Sequence, residues 1–293
     1  MTAKVLLIAN EKGGVGKSTI SINLARALVD RGRKVLVVDL DQSAGATTSL
    51  GLKLGGWYSI LDVMVGGVSV SDAVITEEEV EVNLPRNLHL IPASVNFERG
   101  IGDFLRQEEN SLMPPSTLLL EALDELRKIY DYIILDTSPL VTSTTAPAFG
   151  AADYLIIPTQ LEKLSVERIS AAMLRARSAR KYGNPKLDIL GIIISMAPKP
   201  FTQLAKHHVT VMDKSHRFDN GDILRFHSIL TRAVALPESQ ERKQTLFDYQ
   251  PIHPLVDVFR ALAKEVEERS EARVKFLETV PLATGAEKEV VNG

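Results

Sequence analysis

The sequence predicts an α/β fold in which a mostly parallel, twisted sheet is covered by helices on both faces. Short apolar runs rich in β-branched residues alternate with longer stretches of helical periodicity along the 293 residues. This alternation is typical of parallel sheets that are buried on both faces. A strand, a glycine-rich loop, a helix and a second strand also fit within about 40 N-terminal residues, enough for one βαβ unit. These two observations predict a three-layer α/β sandwich.

The individual elements follow from the apolar pattern. Strands are predicted from continuous apolar runs at Lys4–Ala9, Lys34–Asp39, Leu88–Pro92, Tyr132–Asp136, Tyr154–Pro158 and Ile189–Ser195. Helices are predicted at Ser18–Asp30, Ser116–Lys128 and Val166–Tyr182, with an amphipathic last helix packed on the core at Val256–Val266. Residues 55–85 and 199–222 are predicted to be less regular, because glycines or clustered polar residues interrupt the pattern.

Composition limits the class of protein. We predict one domain at residues 1–272 and a tail at 273–293, disordered at its end because it contains Pro281 and Gly285 and lacks periodicity. The absence of cysteine excludes disulfides, thiolate metal ligands and cysteine nucleophiles. No apolar stretch is long enough to span a bilayer, and the N-terminal run leads directly into the glycine loop, so we expect a cytoplasmic protein. The net charge of −3 means that nucleic-acid binding would need a local basic patch.

The stretch NEKGGVGKST, residues 10–19, carries the strongest functional signal. Between a strand and a helix, backbone N–H groups of such a loop form a nest for phosphate, and the helix adds the positive end of its dipole. Lys17 is expected to neutralise the β- and γ-phosphates, and the Ser18 hydroxyl to ligate Mg²⁺. The alternative, a glycine-rich turn without a ligand, leaves the lysine, the serine and the flanking elements unexplained. The predicted nucleotide ligands here are Gly13, Gly14, Val15, Gly16, Lys17, Ser18 and Thr19.

Three carboxylates are predicted to lie beside this loop. Asp39 and Asp41 follow the second strand and Asp136 closes another, and ligands of open α/β sheets bind beyond the carboxyl ends of strands. Asp39 and Asp41 are expected on the same side, where one of them could orient an attacking water. The alternative is a solvated pair at a strand end. Asp136 is expected to hold Mg²⁺ directly or through water.

Taken together, these motifs resemble a known family. KGGVGKST with its leading lysine is similar to the deviant phosphate loop of the ParA/MinD family of P-loop ATPases. VVDLD resembles the family's switch I strand, and YIILDTSP its Walker B strand with the switch II turn. Similarity in IIPTQLEKLSVERI and ILTRAVALPESQERKQTLFDYQP extends the resemblance over roughly Lys4 to Ala263. The chain is most similar to ParA/Soj plasmid and chromosome partition ATPases.

The resemblance implies a P-loop NTPase fold, the cofactors ATP and Mg²⁺, and Mg²⁺-dependent ATP hydrolysis. Lys12 is implied to reach across a homodimer to the phosphates of the nucleotide on the other subunit, so that ATP bridges the dimer. Lys12, Lys17 and Asp41 form the implied catalytic set. The implied metal ligands are Ser18, Asp41 and Asp136, and the candidate adenine contacts are Pro237 and Glu238 from the segment Leu236–Ser239.

Two stretches depart from the family pattern. The family commonly reads DPQGNAT after the second aspartate, whereas residues 41–47 read DQSAGAT here. The Walker B turn is commonly followed by two prolines, whereas Ser138 precedes Pro139 in this chain. Both departures fall in the switch regions, which control hydrolysis and the response to a partner.

Two functions remain open at this point. The first is a partition ATPase that dimerises on ATP, binds nucleoid DNA without sequence preference and hydrolyses ATP when a ParB-like centromere-binding partner stimulates it. Its candidate DNA contacts are Lys199, Lys206, Arg232, Arg242 and Lys243, each of which could equally be a solvated surface charge. The second is a MinD-like membrane-surface ATPase that positions the division site. That function needs a basic amphipathic C-terminal helix, whereas Glu265, Glu267 and Glu268 make this helix acidic, so no membrane partner is expected. A small-molecule ligase on the same loop is a weaker third option.

Overall fold

A computed structural model describes residues 2–79, 84–107, 114–139, 145–162 and 165–279. Within these residues a seven-stranded sheet is formed by β1 (Lys4–Ile8), β2 (Val35–Asp39), β3 (Leu88–Ile91), β4 (Tyr132–Asp136), β5 (Tyr154–Thr159), β6 (Asp188–Ala197) and β7 (Arg225–Thr231). The strand order is β3-β2-β4-β1-β5-β6-β7, and every neighbouring pair is parallel. The predicted α/β fold is therefore confirmed.

Helices cover both faces of the sheet. They are α1 (Lys17–Asp30), α2 (Gly45–Ser49), α3 (Ile60–Met64), α4 (Phe97–Arg106), α5 (Pro115–Leu123), α6 (Ala146–Ala151), α7 (Ser165–Tyr182), α8 (Gln203–Ser215), α9 (Ala235–Glu241), α10 (Leu246–Tyr249) and α11 (Pro254–Thr279). Short 3-10 helices lie at Val70–Ala73 and Leu126–Lys128. No helix in the described part of the chain is long and apolar enough to cross a membrane.

The alternation of side chains along the strands separates two apolar cores. On β1, Val5 and Leu7 belong to the core that contains residues of α5, α6 and α7. Leu6 and Ile8 belong to the other core, with residues of α1 and α11. All four side chains are fully buried, as expected for a central strand with helices on both faces.

Several elements were not predicted from the sequence, and β7 and α8 show why. The strand β7 lies at the edge of the sheet and alternates, because Phe226, Ser228 and Leu230 are buried while residues between them are more exposed. It therefore lacks the continuous apolar run by which the inner strands were identified. The helix α8 occupies part of the segment predicted to be irregular. Its signal was the N-cap Thr202, whose side chain accepts a hydrogen bond from the Ala205 N–H at 3.1 Å.

Two predicted boundaries also change. The helix expected at Ser116–Lys128 ends as α5 at Leu123, and a 3-10 turn follows it. The last helix, α11, runs from Pro254 to Thr279 and so continues past residue 273, where the tail was predicted to begin. The predicted disorder at the end of the tail concerns residues 280–293, which lie outside the described residues.

Candidate nucleotide-binding site

The glycine-rich loop joins β1 to α1 and has the conformation of a phosphate cradle. Gly14 and Gly16 adopt left-handed conformations with φ of 70° and 82°, which glycine accommodates at little cost. Gly16 is the N-cap of α1, and Lys17 is the first residue of that helix. The backbone N–H groups at the start of a helix point towards a bound anion, so this conformation is compatible with the predicted ligands Gly13 to Thr19.

Three side chains hold the backbone of the loop in place, one at its start and two from the ends of neighbouring strands. The Asn10 amide donates to the Pro158 carbonyl at 2.6 Å, and Ser195 Oγ donates to the Val15 carbonyl at 2.8 Å. Gln160 Nε2 donates to the Gly14 carbonyl at 3.0 Å. Sequence reasoning missed all three residues as part of the site. Only the position of Gln160 and Ser195 at the carboxyl ends of β5 and β6 could have indicated them, because ligands bind beyond those ends.

Two carboxylates lie side by side where β2 and β4 end, since Asp39 and Asp136 are partners in the strand register. Asp136 is fully buried, and its Oδ1 accepts a hydrogen bond from Ser21 Oγ at 3.0 Å. Its other oxygen, Oδ2, is buried and has no hydrogen-bond partner within the described part of the chain. Burial, followed by the charge of Asp39, raises the pKa of Asp136 above its ordinary value. An unpartnered carboxylate oxygen here fits the predicted Mg²⁺ ligand, because a cation would supply the missing interaction.

Asp39 has a different role from Asp41. Asp39 Oδ2 accepts hydrogen bonds from the Thr47 N–H at 2.8 Å and the Thr47 hydroxyl at 2.7 Å, while Oδ1 accepts from the Asp41 N–H at 3.1 Å. These bonds hold the segment that leads into α2. Asp41 is also largely buried, and its Oδ1 accepts from the Ser43 N–H at 2.9 Å. Because both oxygens of Asp39 are engaged in holding the backbone, Asp41 is the better candidate of the two for orienting a water.

Lys17 lies among these carboxylates. It is 6% exposed, and burial lowers the pKa of its ammonium, while the charges of Asp136 and Asp41 oppose that shift. The ammonium is thus held close to two predicted metal ligands in a poorly solvated position. This environment strengthens its attraction for phosphate oxygens, because charges interact more strongly away from water.

Gly45, at the start of α2, is a site residue that sequence reasoning did not identify. A Cβ added at Gly45 would lie 2.8 Å from Ser18 Oγ and 3.2 Å from Ser18 Cβ. The preceding residue, Ala44, has a left-handed φ of 55°, which is unusual for a residue with a side chain. A residue without a side chain therefore lets the switch I segment approach the predicted metal-binding hydroxyl. The signal was present in the departure of residues 41–47 from the family pattern.

A pocket of about 230 Å³ lies beside the loop, between α1, the end of β6 and α9. Its lining includes Gly16, Thr19, Ile20, Met196, Leu230, Leu236, Pro237, Gln240 and Phe259. Pro237, one of the two candidate adenine contacts, is among these residues. Glu238 is not, because it faces a neighbouring cavity and accepts a hydrogen bond from the Tyr249 hydroxyl at 3.3 Å. The structure therefore shows a largely apolar slot that Pro237 lines and Glu238 does not, and the contact of either residue with adenine stays a prediction.

Lys12 is held within its own chain. Its ammonium donates to Gln160 Oε1 at 2.6 Å and forms an ion pair with Glu162. The predicted contact of Lys12 with a nucleotide on another subunit stays a prediction, since it concerns a second chain.

The candidate DNA contacts are dispersed. All are exposed at the surface: Lys199, Lys206, Arg232, Arg242 and Lys243. Lys199 and Arg232 line the same cavity at the ends of β6 and β7. Lys206 lies on α8, and Arg242 and Lys243 follow α9. The structure thus brings two of the five basic residues together at the end of the sheet where the phosphate loop lies.

Comparisons with known proteins agree with this geometry. A family model described as an AAA domain matches residues 3–189. The sporulation initiation inhibitor protein Soj of Bacillus subtilis (strain 168) is 31% identical over 267 residues, covering 90% of this chain and 98% of Soj. The chain belongs to the ParA/MinD family of P-loop ATPases.

Another member of the ParA/MinD family, the chromosome-partitioning ATPase Soj of Thermus thermophilus, is 31% identical over 274 residues, with 92% of this chain and 98% of that protein covered. Among solved structures, the septum site-determining protein MinD of Pyrococcus horikoshii complexed with Mg-ADP has a TM-score of 0.70 at 22% identity. The likeness covers 92% of this chain and 98% of MinD. At 22% identity, this structural likeness shows that the two proteins share a fold.

A substitution at Gly45 tests the close approach to Ser18. In Gly45→Ala, the new methyl group would displace the Ser18 hydroxyl, so we expect Mg²⁺-dependent ATP affinity to fall about tenfold, as for other neighbours of metal ligands. Gly56→Ala is the matched control, because a Cβ at Gly56 meets no atom within 4 Å. Titration with a fluorescent ATP analogue, with and without Mg²⁺, measures both variants. Equal losses in the two variants would contradict the assignment.

The unpartnered oxygen of Asp136 leads to a second test. Asp136→Asn removes an ionisable group whose charged form burial disfavours, so at neutral pH we expect the nucleotide-free protein to be more stable, by on the order of 1 kcal/mol. The same variant should bind Mg²⁺-ATP about 10- to 100-fold more weakly, because a metal ligand is lost. Thermal unfolding without nucleotide and Mg²⁺-ATP titration measure the two effects. Asp103→Asn, on the exposed surface of α4, should change neither. A less stable nucleotide-free Asp136→Asn would contradict the interpretation.

Proposed function

We propose that this protein is a partition ATPase that dimerises on ATP, binds DNA without sequence preference and releases it after hydrolysis. The observation that carries the proposal is the combination of a phosphate loop, a second lysine at its start and three nearby carboxylates in one site. The similarity to Soj over most of the chain supports the same function. The cofactors would be ATP and Mg²⁺.

The phosphate loop would bind the triphosphate through its backbone N–H groups, and Lys17 would pair with the β- and γ-phosphates. Ser18 and Asp136 would hold Mg²⁺, which would neutralise phosphate charge, while Asp41 would reach the ion only through a water. Pro237 would contact the adenine in the apolar slot beside α9. Each of these groups lies at the carboxyl ends of the strands, so binding would need no rearrangement of the sheet.

Dimerisation would depend on Lys12. Two chains that face each other across ATP would bury negative phosphate charge, and a lysine from the opposite chain would compensate for it. Asp41 would then orient the water that attacks the γ-phosphate. Loss of the γ-phosphate would remove the group that Lys12 binds, so hydrolysis would end the dimer.

DNA would be bound by exposed basic residues of both subunits. Lys199 and Arg232 are the strongest candidates because they share a cavity at the end of the sheet where the nucleotide would bind. Lys206, Arg242 and Lys243 would extend this surface. A ParB-like centromere-binding protein would be the partner that stimulates hydrolysis, and the protein would associate with the nucleoid in the cytoplasm.

A membrane-surface function of the MinD type is less consistent with α11. Two of its acidic side chains attach the helix to the rest of the protein. Glu265 accepts hydrogen bonds from the His227 and Ser228 N–H groups at 2.7 and 2.9 Å, and Glu267 accepts from Arg33 at 2.6 Å. The apolar face, including Phe259, Leu262 and Val266, is fully buried. Through residue 273 this helix therefore offers no basic amphipathic face to a bilayer.

The first test separates the roles of Lys12 and Asp41. Lys12→Ala should bind ATP as a monomer but fail to form the ATP-linked dimer, because a buried charge pair with phosphate is worth about 2–5 kcal/mol. Asp41→Ala should bind ATP and dimerise but hydrolyse about 100-fold more slowly, because it loses the group that positions water. Analytical ultracentrifugation with ATP and a phosphate-release assay measure both. Lys17→Ala, which should not bind ATP, is the control.

A dimeric Lys12→Ala protein would refute the trans role, and an Asp41→Ala protein that hydrolyses ATP normally would refute the catalytic one. Neither result would affect the assignment of the phosphate loop itself.

The second test concerns DNA. If each dimer neutralises about four phosphates, log affinity should fall with log salt at a slope near −3.6. Arg232→Ala removes one candidate contact from each protomer, so its slope should be about −1.8. Lys128→Ala is the control, since Lys128 precedes β4 at the opposite end of the sheet. Fluorescence anisotropy with ATP and two unrelated duplexes gives both values. Strong preference for one duplex, or binding to anionic vesicles in place of DNA, would count against the partition function.

A further inference from the structure

The first residues of the phosphate loop are attached to the segment that begins at the end of β5. The Asn10 amide is bonded to the Pro158 carbonyl, and Glu11 accepts a hydrogen bond from Arg175 of α7 at 2.7 Å. Lys12 donates to Gln160 and pairs with Glu162. Asn10, Glu11 and Lys12 are therefore all held to the same region of the fold. Glu11 is the anion of one ion pair, and Lys12 is the cation of another.

The pairing of Lys12 with Glu162 differs from the other attachments in its exposure. The Glu162 side chain is 57% exposed and that of Lys12 is 21% exposed. If the ion pair opened, water would solvate the Glu162 carboxylate at once, so breaking the pair costs little free energy. By contrast, the amide of Asn10 is buried. Within the loop, Lys12 is thus a group that can leave its partner without disturbing the backbone.

One ammonium cannot serve two distant anions at the same time. The proposed dimer requires Lys12 to contact phosphate on the opposite subunit, and Glu162 competes for the same charge within its own chain. We propose that Glu162 is a positioning residue for Lys12, which holds the ammonium in cis before dimerisation and thereby sets the protein concentration at which ATP links two chains. This proposal rests on the ATP-bridged dimer proposed above.

The size of the effect follows from the exposure of the pair. An exposed ion pair of this kind shifts an equilibrium by about threefold, within the range measured for surface pairs. Both protomers must release Lys12 when the dimer forms, so the factors multiply, and removing the competitor should lower the dimer dissociation constant about tenfold. The ion pair between Lys12 and Glu162 thus weakens dimerisation without preventing it. Gln160 is less suited to substitution, because its amide also holds the Gly14 carbonyl.

The first experiment measures Lys12 in the nucleotide-free protein. Brief acetylation followed by mass spectrometry gives the reactivity of each lysine. In Glu162→Gln, acetylation of Lys12 should be about threefold faster than in the wild type, and Lys264 should be unchanged. The matched control is Glu268→Gln, which removes another exposed ion pair, that of Lys264 with Glu268 at 3.6 Å. It should leave Lys12 unchanged. Equal reactivity of Lys12 in Glu162→Gln and wild type would overturn the proposal.

The second experiment measures dimerisation with a nonhydrolysable ATP analogue by analytical ultracentrifugation. Glu162→Gln should dimerise at about tenfold lower protein concentration than wild type, with Glu268→Gln unchanged. Dimerisation that is unchanged or weaker in Glu162→Gln would overturn the proposal, since Glu162 would then not compete with the opposite subunit. If wild type never dimerises, the proposed dimer and the concentration threshold both fail, while the acetylation result still decides whether Glu162 positions Lys12.

Discussion

The charge of two neighbouring carboxylates, Asp39 and Asp136, governs the arrangement of the site. The register of β2 and β4 places them side by side in a buried position, where like charges repel strongly. Asp39 is stabilised by three hydrogen bonds from Thr47 and Asp41, whereas one oxygen of Asp136 has no partner among the residues that the structure describes. Lys17 supplies the nearby positive charge. The protein side chains around Asp136 therefore leave one of its oxygens unsatisfied, a deficit that a bound cation would remove.

Rigid and releasable parts of the phosphate loop can be distinguished by burial. Ser195 and Gln160 fix loop carbonyls from the ends of β6 and β5, so the cradle is formed before any ligand arrives. Preorganisation of this type lowers the cost of binding, because few groups lose freedom. Lys12 is attached through its side chain to a more exposed partner, and its release leaves the cradle intact. The same loop can therefore hold a nucleotide firmly and still offer one charge to another molecule.

The strands and site residues that could be predicted from the sequence are those that leave a pattern within a short stretch of the chain. The inner strands are continuous apolar runs because both of their faces are buried, and the glycines with Lys17 and Ser18 identify the phosphate loop by themselves. The edge strand β7 buries one face only, and α8 buries little beyond Ala205 and Met212, so each gave a weak signal. Gln160 could not be found in this way, because its role arises from contacts with residues far along the chain. Gly45 was indicated only by the departure of residues 41–47 from the family pattern, which by itself does not show the contact with Ser18.

Asp39 also connects Asp136, the proposed metal ligand, with the switch I segment. Its hydrogen bonds to Thr47 and Asp41 hold a segment in which Ala44 adopts a left-handed backbone, a conformation that costs an alanine roughly 1 kcal/mol. Charged acceptors form the stronger hydrogen bonds, so these bonds weaken if Asp39 takes up a proton to relieve repulsion from Asp136. A cation on Asp136 would remove the repulsion and keep Asp39 ionised. A cation bound at Asp136 would thus strengthen the hydrogen bonds that hold the strained switch I segment. This segment carries Asp41 and Gly45, so both residues would be kept in place beside Ser18.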